Sequence, residues 1–170
     1  MIHRVLVANR GAIAVRIMRT LREMNIESVA IYAEADRESL HVRAADYAVS
    51  LGDGPASQTY LDTAKIIGIA RDRDVHAIHP GYGFLSENTG FVQQCESNKL
   101  VFLGPTAKQI ADFGLKHKAR ELAQQHGVPL LPGSDVIANA SDAALAADSI
   151  GYPVMLKSTA GGGGIGMQLC

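Results

Sequence analysis

A lysine followed by a glycine-rich loop is the feature of this sequence with the clearest chemistry. Residues 152–167 read Tyr-Pro-Val-Met-Leu-Lys-Ser-Thr-Ala-Gly-Gly-Gly-Gly-Ile-Gly-Met, so an apolar run ends at Lys157 and four consecutive glycines follow. Glycines let backbone N–H groups approach an anion because no Cβ intervenes, and an ammonium group neutralises phosphate charge. The segment predicts a phosphate clamp. A flexible linker is the alternative, but apolar runs on both sides of the glycines disfavour it.

A second segment, residues 79–88, combines ligand-binding side chains with turn residues. It reads His-Pro-Gly-Tyr-Gly-Phe-Leu-Ser-Glu-Asn and follows a predicted strand. Open α/β sheets bind ligands at the carboxyl ends of their strands. Tyr82 offers an aromatic ring with a hydroxyl, and Glu87 is expected in the first turn of the next helix, where its charge complements the helix dipole. Residue chemistry alone leaves two readings open: a binding loop, or only a turn around a buried His79.

Two other groups of residues carry weaker signals. Asn9-Arg10-Gly11 follows the first predicted strand but lacks the G-x-G-x-x-G spacing, so a structural turn is favoured over a dinucleotide site, although Glu34 and Asp36 lie near the end of the second strand. The basic cluster at residues 116–120 is typical of a solvated helix face.

Histidine and cysteine spacing favours neither a metal site nor disulfides. Cys95 and Cys170 are too few and too far apart for a zinc site or a disulfide framework, and we expect both to be reduced thiols. Four further histidines lack metal-ligand spacing and are expected to be structural or exposed. These are His3, His41, His76 and His126.

Composition describes an ordinary soluble globular protein. The 170 residues include 16 Lys and Arg against 17 Asp and Glu, and 47% are apolar. The near-zero net charge gives no electrostatic case for nucleic acid, and no apolar run is long enough to span a membrane. The N-terminus shows no targeting signal, so we expect a cytoplasmic protein. The chain stops within a strand-like run at residues 167–170, and we expect a fragment of a longer protein.

Strand and helix patterns alternate through the first hundred residues. Such alternation predicts parallel βαβ units in a doubly wound sheet. The predicted strands are 4–8, 27–33, 47–51, 75–78 and 100–103, and the predicted helices are 12–24, 39–45, 60–71 and 87–96.

The pattern changes after residue 104, which indicates a domain boundary or hinge. Two successive helices are predicted at 106–113 and 116–126. A third helix is expected at 141–150 with Ser141 as N-cap. A short buried strand at 152–156 then leads to Lys157.

Three segments, in this order and spacing, resemble biotin carboxylase domains of the ATP-grasp superfamily. They are residues 7–11, 79–88 and 152–167. The resemblance implies a Rossmann-like N-terminal domain at residues 1–112 and the start of an ATP-grasp domain at 113–170. It also implies that ATP and bicarbonate form carboxyphosphate, which carboxylates biotin carried on a separate domain. Carboxyltransferase domains or subunits are the further partners implied.

The resemblance assigns roles to individual residues. Lys116 matches a lysine that reaches the nucleotide, against the solvated-face interpretation above. Lys157 matches one that contacts the ATP phosphates. Gly163 and Gly164 match a mobile lid over them.

Other matched positions concern biotin and dimer formation. Tyr82 and Gly83 are similar to positions that face the biotin pocket. Arg16, Arg19 and Glu23 match a helix face used for homodimer contacts, although the same pattern also fits a solvated charged stripe. The ligands of Mg²⁺, the bicarbonate-binding residues and the general base are expected beyond residue 170. No catalytic residue and no metal ligand is therefore predicted within residues 1–170, and this piece alone is predicted to be inactive.

Departures from the common pattern point to a subclass. Residues 113–117, residues 157–160 and Ile165 are similar to urea carboxylases, which convert urea to allophanate. Guanidine, or acetyl-CoA and propionyl-CoA, remain alternative final acceptors. Another ATP-grasp ligase, such as carbamoyl-phosphate synthetase, would share residues 152–166 but is not expected to carry residues 79–88. A non-enzymatic Rossmann-like dimerisation module is the last alternative.

Overall fold

Five parallel strands form the sheet of the N-terminal unit, Met1–Ile110, in the computed structural model, which describes residues 1–159 and 166–170. The strands are β1 (Arg4–Val7), β2 (Glu27–Ala33), β3 (Tyr47–Gly52), β4 (Ala77–His79) and β5 (Val101–Phe102). Their order across the sheet is β3-β2-β1-β4-β5, so the chain moves outwards from β1 to β3 and then returns to the other side of β1. The predicted Rossmann-like doubly wound parallel sheet is confirmed.

Helices cover both faces of this sheet. They are α1 (Gly11–Glu23), α2 (Leu40–Ala44), α3 (Thr63–Asp72) and α4 (Thr89–Ser97). On one face, Val5 and Val7 of β1 belong to a buried cluster with Met18 of α1. On the other face, Leu6 belongs to a cluster with residues of α3 and α4, among them Phe91. Strands buried on both faces explain why their sequences are almost continuously apolar.

Two helix starts differ from the predicted ones because a polar side chain caps each helix later than expected. The side chain of Asp62 accepts a hydrogen bond from the Lys65 N–H, so α3 begins at Thr63 rather than at residue 60. Asn88 caps α4 in the same way by accepting from the Phe91 N–H. Glu87 therefore precedes α4, and the prediction that it lies in the first turn was wrong.

The second unit, Ala111–Cys170, contains helices and a two-stranded antiparallel sheet. Its elements are α6 (Lys116–Gln125), α7 (Ala140–Ile150), β6 (Met155–Lys157) and β7 (Met167–Leu169), and the unit boundary falls within α5 (Ala107–Gly114). The side chain of Asn139 accepts from the Asp142 N–H and caps α7, so the prediction of Ser141 as N-cap was wrong.

The strand before the glycines was predicted to be buried, and this was wrong. Met155 is 44% exposed and Leu156 is 49% exposed. In the part of the chain that the structure describes, β6 has only β7 as a neighbour in its sheet. A two-stranded sheet buries little of either face, so the apolar side chains of β6 remain partly open.

Candidate functional site

The carboxyl ends of β1 and β4 form the point where the strand order of the sheet reverses. These neighbouring strands pair in parallel, with Val7 opposite His79. Connections on the two sides of this point diverge, which leaves a crevice where open α/β sheets bind ligands. Asn9 follows β1, and the loop at residues 80–84 follows β4. The site is therefore built from two short segments that are far apart in the sequence.

Asn9 joins the two segments. Its side-chain Nδ2 donates to the main-chain oxygens of Pro80 at 2.8 Å and Tyr82 at 2.7 Å. Its Oδ1 accepts from the Arg10 N–H at 2.9 Å. Asn9 is only 4% exposed, so these bonds replace water almost completely. A primary amide has two N–H donors, and both are used on the loop.

Gly81 lies directly against Asn9. Its φ is +66°, and a Cβ added there would stand 2.7 Å from Asn9 Nδ2. The Gly81 N–H donates to His79 Nδ1 at 3.0 Å, so the imidazole proton is on Nε2. Burial lowers the pKa of His79, which favours this neutral form. His79 thus supports the start of the loop through this hydrogen bond, although it is half-buried rather than buried as the structural alternative expected.

Tyr82 and Gly83, the predicted biotin-pocket residues, lie side by side on this loop. Tyr82 is 67% exposed, although Asn9 holds its main-chain oxygen. Gly83 has a φ of +65°, and a Cβ added there would meet nothing within 4 Å. The loop therefore presents an aromatic ring and an open main-chain position at the switch point.

Arg10 forms a second contact with the loop that the sequence did not predict. Its Nη1 pairs with Asp36 Oδ2 at 2.9 Å. Its guanidinium lies 5.4 Å from the ring centroid of Tyr60 and 5.8 Å from that of Phe84. Those two rings stack at 5.0 Å. An arginine over two aromatic faces gains cation–π attraction, so Arg10 links the end of β1 to Phe84 of the loop.

Asp36 is held as a carboxylate beneath Arg10. Tyr60 OH donates to Asp36 Oδ2 at 2.7 Å and accepts from the Ala33 N–H at 3.1 Å. Burial raises the pKa of Asp36, but the bonds from Arg10 and Tyr60 more than compensate and hold that pKa below its usual value. Asp36 lies near the end of β2, as the sequence indicated, and its oxygen is engaged by Arg10 and Tyr60.

His41 contacts the first residue of α1. It is fully buried, its Nδ1 accepts from the Gly11 N–H at 3.4 Å, and its Nε2 lies 3.3 Å from the Ile31 oxygen. Burial lowers the pKa of His41. The sequence could place this histidine only as structural or exposed. The structural role is the observed one.

The predicted dimer-contact residues share the exposed side of α1. Arg16, Arg19 and Glu23 are all exposed, whereas Ala14 and Met18 on the same helix are buried. Arg19 Nε pairs with Glu23 Oε1 at 3.2 Å. The helix thus presents these charges together on its outer face. Their role in dimer formation stays a prediction.

In the second unit, α6 and β6 bring the two predicted ATP lysines to one loop. Lys116 Nζ donates to the main-chain oxygen of Ser158 at 3.2 Å. Lys157, the preceding residue, is exposed at the end of β6. The Ser158 N–H donates to the Gly166 oxygen at 2.8 Å, which joins the two described ends of the glycine-rich loop. Gly163 and Gly164, the predicted lid residues, lie outside the described residues.

Two classes of feature were not found in the described residues. Within residues 1–159 and 166–170, no three His, Cys, Asp or Glu side chains are grouped as metal ligands would be. Across the same residues, none of the helices has both the length and the apolar character needed to cross a membrane.

Comparison with known families decides the relationship. A family model described as "Biotin carboxylase, N-terminal domain" matches residues 1–110. The chain belongs to the biotin carboxylase family. A second model, the ATP-binding domain of the carbamoyl-phosphate synthase L chain, matches residues 116–170. The resemblance read from three short segments of sequence is thereby confirmed.

Relatives within the family have names that state different activities. Urea amidolyase of Lachancea kluyveri is 54% identical over 164 residues, which cover 96% of this chain and 9% of that protein. Biotin carboxylase 1 of Bacillus subtilis is 48% identical over 170 residues, covering 99% of this chain and 38% of that protein. The chain thus spans well under half the length of these curated relatives.

A solved family member has the same fold over the whole chain. It is the biotin carboxylase domain dimer of Hydrogenobacter thermophilus 2-oxoglutarate carboxylase, in complex with MgADP, ADP and bicarbonate. It is 45% identical, with a TM-score of 0.94, and the match covers 100% of this chain and 38% of that one. At this identity the likeness supports a common fold and a common family. The roles of individual side chains stay predictions.

Proposed function

We propose that the chain is the N-terminal part of a biotin carboxylase domain in a longer protein, with residues 1–112 as the Rossmann-like domain and 113–170 as the start of the ATP-grasp domain. The whole domain would use ATP and bicarbonate to carboxylate biotin. The observation that carries this proposal is the hydrogen bond from Lys116 to the oxygen of Ser158, which brings two lysines to one glycine-rich loop. MgADP and bicarbonate in the related domain structure support the same choice of ligands.

The reaction would proceed by phosphoryl transfer followed by carboxyl transfer. A bicarbonate oxygen attacks the γ-phosphorus of ATP, ADP leaves, and carboxyphosphate forms. Its carboxyl group then passes to a ring nitrogen of biotin, the N–H bond of that nitrogen breaks, and phosphate leaves with the proton. The ammonium groups of Lys116 and Lys157 would neutralise phosphate oxygens as charge develops on them. Mg²⁺, with ligands expected beyond residue 170, would neutralise further phosphate charge.

The crevice at the ends of β1 and β4 is our proposed place for the biotin ring. Tyr82 would supply an aromatic surface for its apolar part, and the open main chain at Gly83 would allow close approach. Small-molecule sites commonly combine such apolar surfaces with a few fixed polar groups. The exposed charges of α1, Arg16, Arg19 and Glu23, would form the contact of a homodimer.

Urea is our proposed final acceptor, with the biotin carrier and carboxyltransferase as further domains or subunits. The observations in favour are the residues at 113–117 and Ile165, together with 54% identity to a urea amidolyase. The 48% identity to a biotin carboxylase is close to that value. Guanidine and acyl-CoA therefore stay as alternatives. Residues 1–170 alone are expected not to hydrolyse ATP in a bicarbonate-dependent way.

The deciding experiment uses the full-length biotinylated protein. Bicarbonate-dependent ATP cleavage would be measured with urea, guanidine and acetyl-CoA in parallel, and the unbiotinylated protein would serve as control. Stimulation by urea supports the complete proposal. Stimulation by acetyl-CoA alone would retain the biotin carboxylase step and reject the subclass. Absence of bicarbonate-dependent cleavage in the biotinylated protein would reject the proposed reaction.

A further inference from the structure

We infer that Asn9 is a positioning residue, which fixes the loop that carries Tyr82 and thereby sets the affinity of the site for biotin. The inference rests on the proposed function, because it takes Tyr82 as part of the biotin site. Nothing in the sequence pattern assigns Asn9 this role. The inference comes from the two hydrogen bonds that its amide donates across the switch point.

Asn9 is well placed to fix a loop because it is itself fixed. Only Ala8 separates it from the end of β1, and the Ala8 N–H donates to the His79 oxygen at 2.8 Å, which extends the pairing of β1 with β4 as far as Ala8. The amide side chain is nearly buried, both of its N–H donors are engaged, and its oxygen accepts one hydrogen bond. A buried amide with every donor engaged has one orientation, because any rotation leaves a polar atom without a partner.

The loop needs such support because its backbone is unusual. Gly81, Gly83 and Phe84 all have positive φ, and for Phe84 the value is 39°. A bulky residue in this region is strained and persists only when its surroundings hold it there. Asn9 bonds the main chain at two residues in this stretch, Pro80 and Tyr82. The guanidinium of Arg10 lies near the Phe84 ring, so neighbouring residues hold both halves of the loop.

The part of the loop that Asn9 fixes most directly contributes little to the core. Tyr82 accepts the shorter of the two bonds at its main-chain oxygen, yet it is 67% exposed. Asn9 is buried, but the residue that it holds is exposed. Its hydrogen bonds therefore fix the position of a surface residue and do not serve only to fill the interior. For binding, such preorganisation removes the cost of ordering the loop when the ligand arrives.

The test uses Asn9→Ala and Asn9→Asp in the full-length protein, with free biotin as substrate. Alanine removes the donors. Aspartate keeps the shape, but a carboxylate cannot donate to the two carbonyl oxygens. We expect the KM for biotin to rise about tenfold in both variants, as for the loss of a buried hydrogen bond, and the KM for ATP to change less than about twofold. Asn98→Ala is the control, because the half-buried Asn98 lies at the end of α4 and its side chain donates to the main-chain oxygen of Gln94, four residues earlier.

A double-mutant cycle separates positioning from general damage. If Asn9 acts through Tyr82, then Tyr82→Ala and Asn9→Ala should not be additive in their effects on the KM for biotin. Additive effects, or an unchanged KM for biotin in Asn9→Ala, would overturn the inference. Should Asn9→Ala fail to fold, Asn9→Ser takes its place, because its hydroxyl can still donate one bond.

Hydrogen exchange tests the role of Asn9 in the loop independently of biotin-dependent activity. In Asn9→Ala, amides at residues 81–86 should exchange faster than in the wild type, while amides of β2 and β3 keep their rates. If the wild-type protein shows no biotin-dependent activity, the proposed function fails, and exchange alone decides whether Asn9 fixes the loop. Equal exchange at residues 81–86 in both proteins would refute the role of Asn9.

Discussion

Lys116 Nζ lies 3.2 Å from the main-chain oxygen of Ser158 and donates a hydrogen bond to it across 42 residues of sequence. Ser158 follows Lys157 in the segment of sequence that leads to the glycines. A helix that starts at Lys116 and a strand that ends at Lys157 therefore converge on the same loop. The contact therefore brings both lysines to one loop.

Lys116→Gln should weaken ATP binding. The substitution keeps a hydrogen-bonding side chain but removes the charge that would meet phosphate, and charge-assisted bonds are the stronger kind. We expect the KM for ATP to rise about tenfold in the full-length protein, with Lys118→Gln as the matched control. Lys118 is an exposed lysine on the same helix. Equal effects of the two substitutions would contradict a specific role for Lys116.

Lys157→Gln should also raise the KM for ATP about tenfold, and Lys157→Arg should raise it less, because arginine keeps the charge. The exposed position of Lys157 at the end of β6 leaves its ammonium open to an anion. Measuring the KM for ATP in both variants separates charge from shape. A Lys157→Arg variant as impaired as Lys157→Gln would show that charge alone does not explain the position.

Much of the sheet could be predicted from the sequence because its strands are buried on both faces. The run at Glu27–Ala33 matches β2 residue for residue, since a continuous apolar segment between polar turns has few other solutions. Helix starts were less predictable where two candidate residues compete. At α4 the side chain of Asn88 takes the cap, which leaves Glu87 outside the helix.

The candidate site was only partly predictable, because its decisive contacts join distant residues. Nothing local to Asn9 shows that its amide meets the oxygen of Tyr82, which lies 73 residues later. The partnership of Arg10 with Asp36 likewise depends on how β1 and β2 lie together. The sequence could identify Tyr82 and Lys157 as side chains suited to ligand binding. The residues that contact their loops, Asn9 and Lys116, are brought there only by the fold.

Stability of the N-terminal unit should fall between pH 7 and pH 5 in part through His41. Burial lowers the pKa of His41 in the folded protein, so the unfolded chain binds a proton there that the folded chain does not. Stability is therefore retained at neutral pH and lost as the pH falls below the unfolded value of about 6.5. His79, whose pKa burial also lowers, contributes with the same sign.

The role of His41 can be measured by native-state hydrogen exchange of the β1 amides at several pH values. His41→Gln should lower stability at pH 7 but make it less dependent on pH, by at most about 1.4 kcal/mol per pH unit. His126→Gln, at an exposed position, is the control and should keep the wild-type slope. An unchanged slope in His41→Gln would contradict the assignment.

Alanine substitution at Gly81 and Gly83 should separate backbone strain from steric conflict. Both glycines have nearly the same positive φ, 66° and 65°, so both substitutions cost about 1 kcal/mol of backbone strain. They differ in their surroundings. A Cβ at Gly81 would lie 2.7 Å from Asn9 Nδ2, whereas one at Gly83 would meet nothing within 4 Å. Because Asn9 is nearly buried and bonded on both sides, moving it away is costly, and Gly81→Ala should cost about 1–3 kcal/mol more than Gly83→Ala.

The opening free energy of the β1 amides, measured by hydrogen exchange in both variants, checks this difference. Equal losses would mean that Asn9 yields, which would also weaken its assignment as the fixed support of the loop.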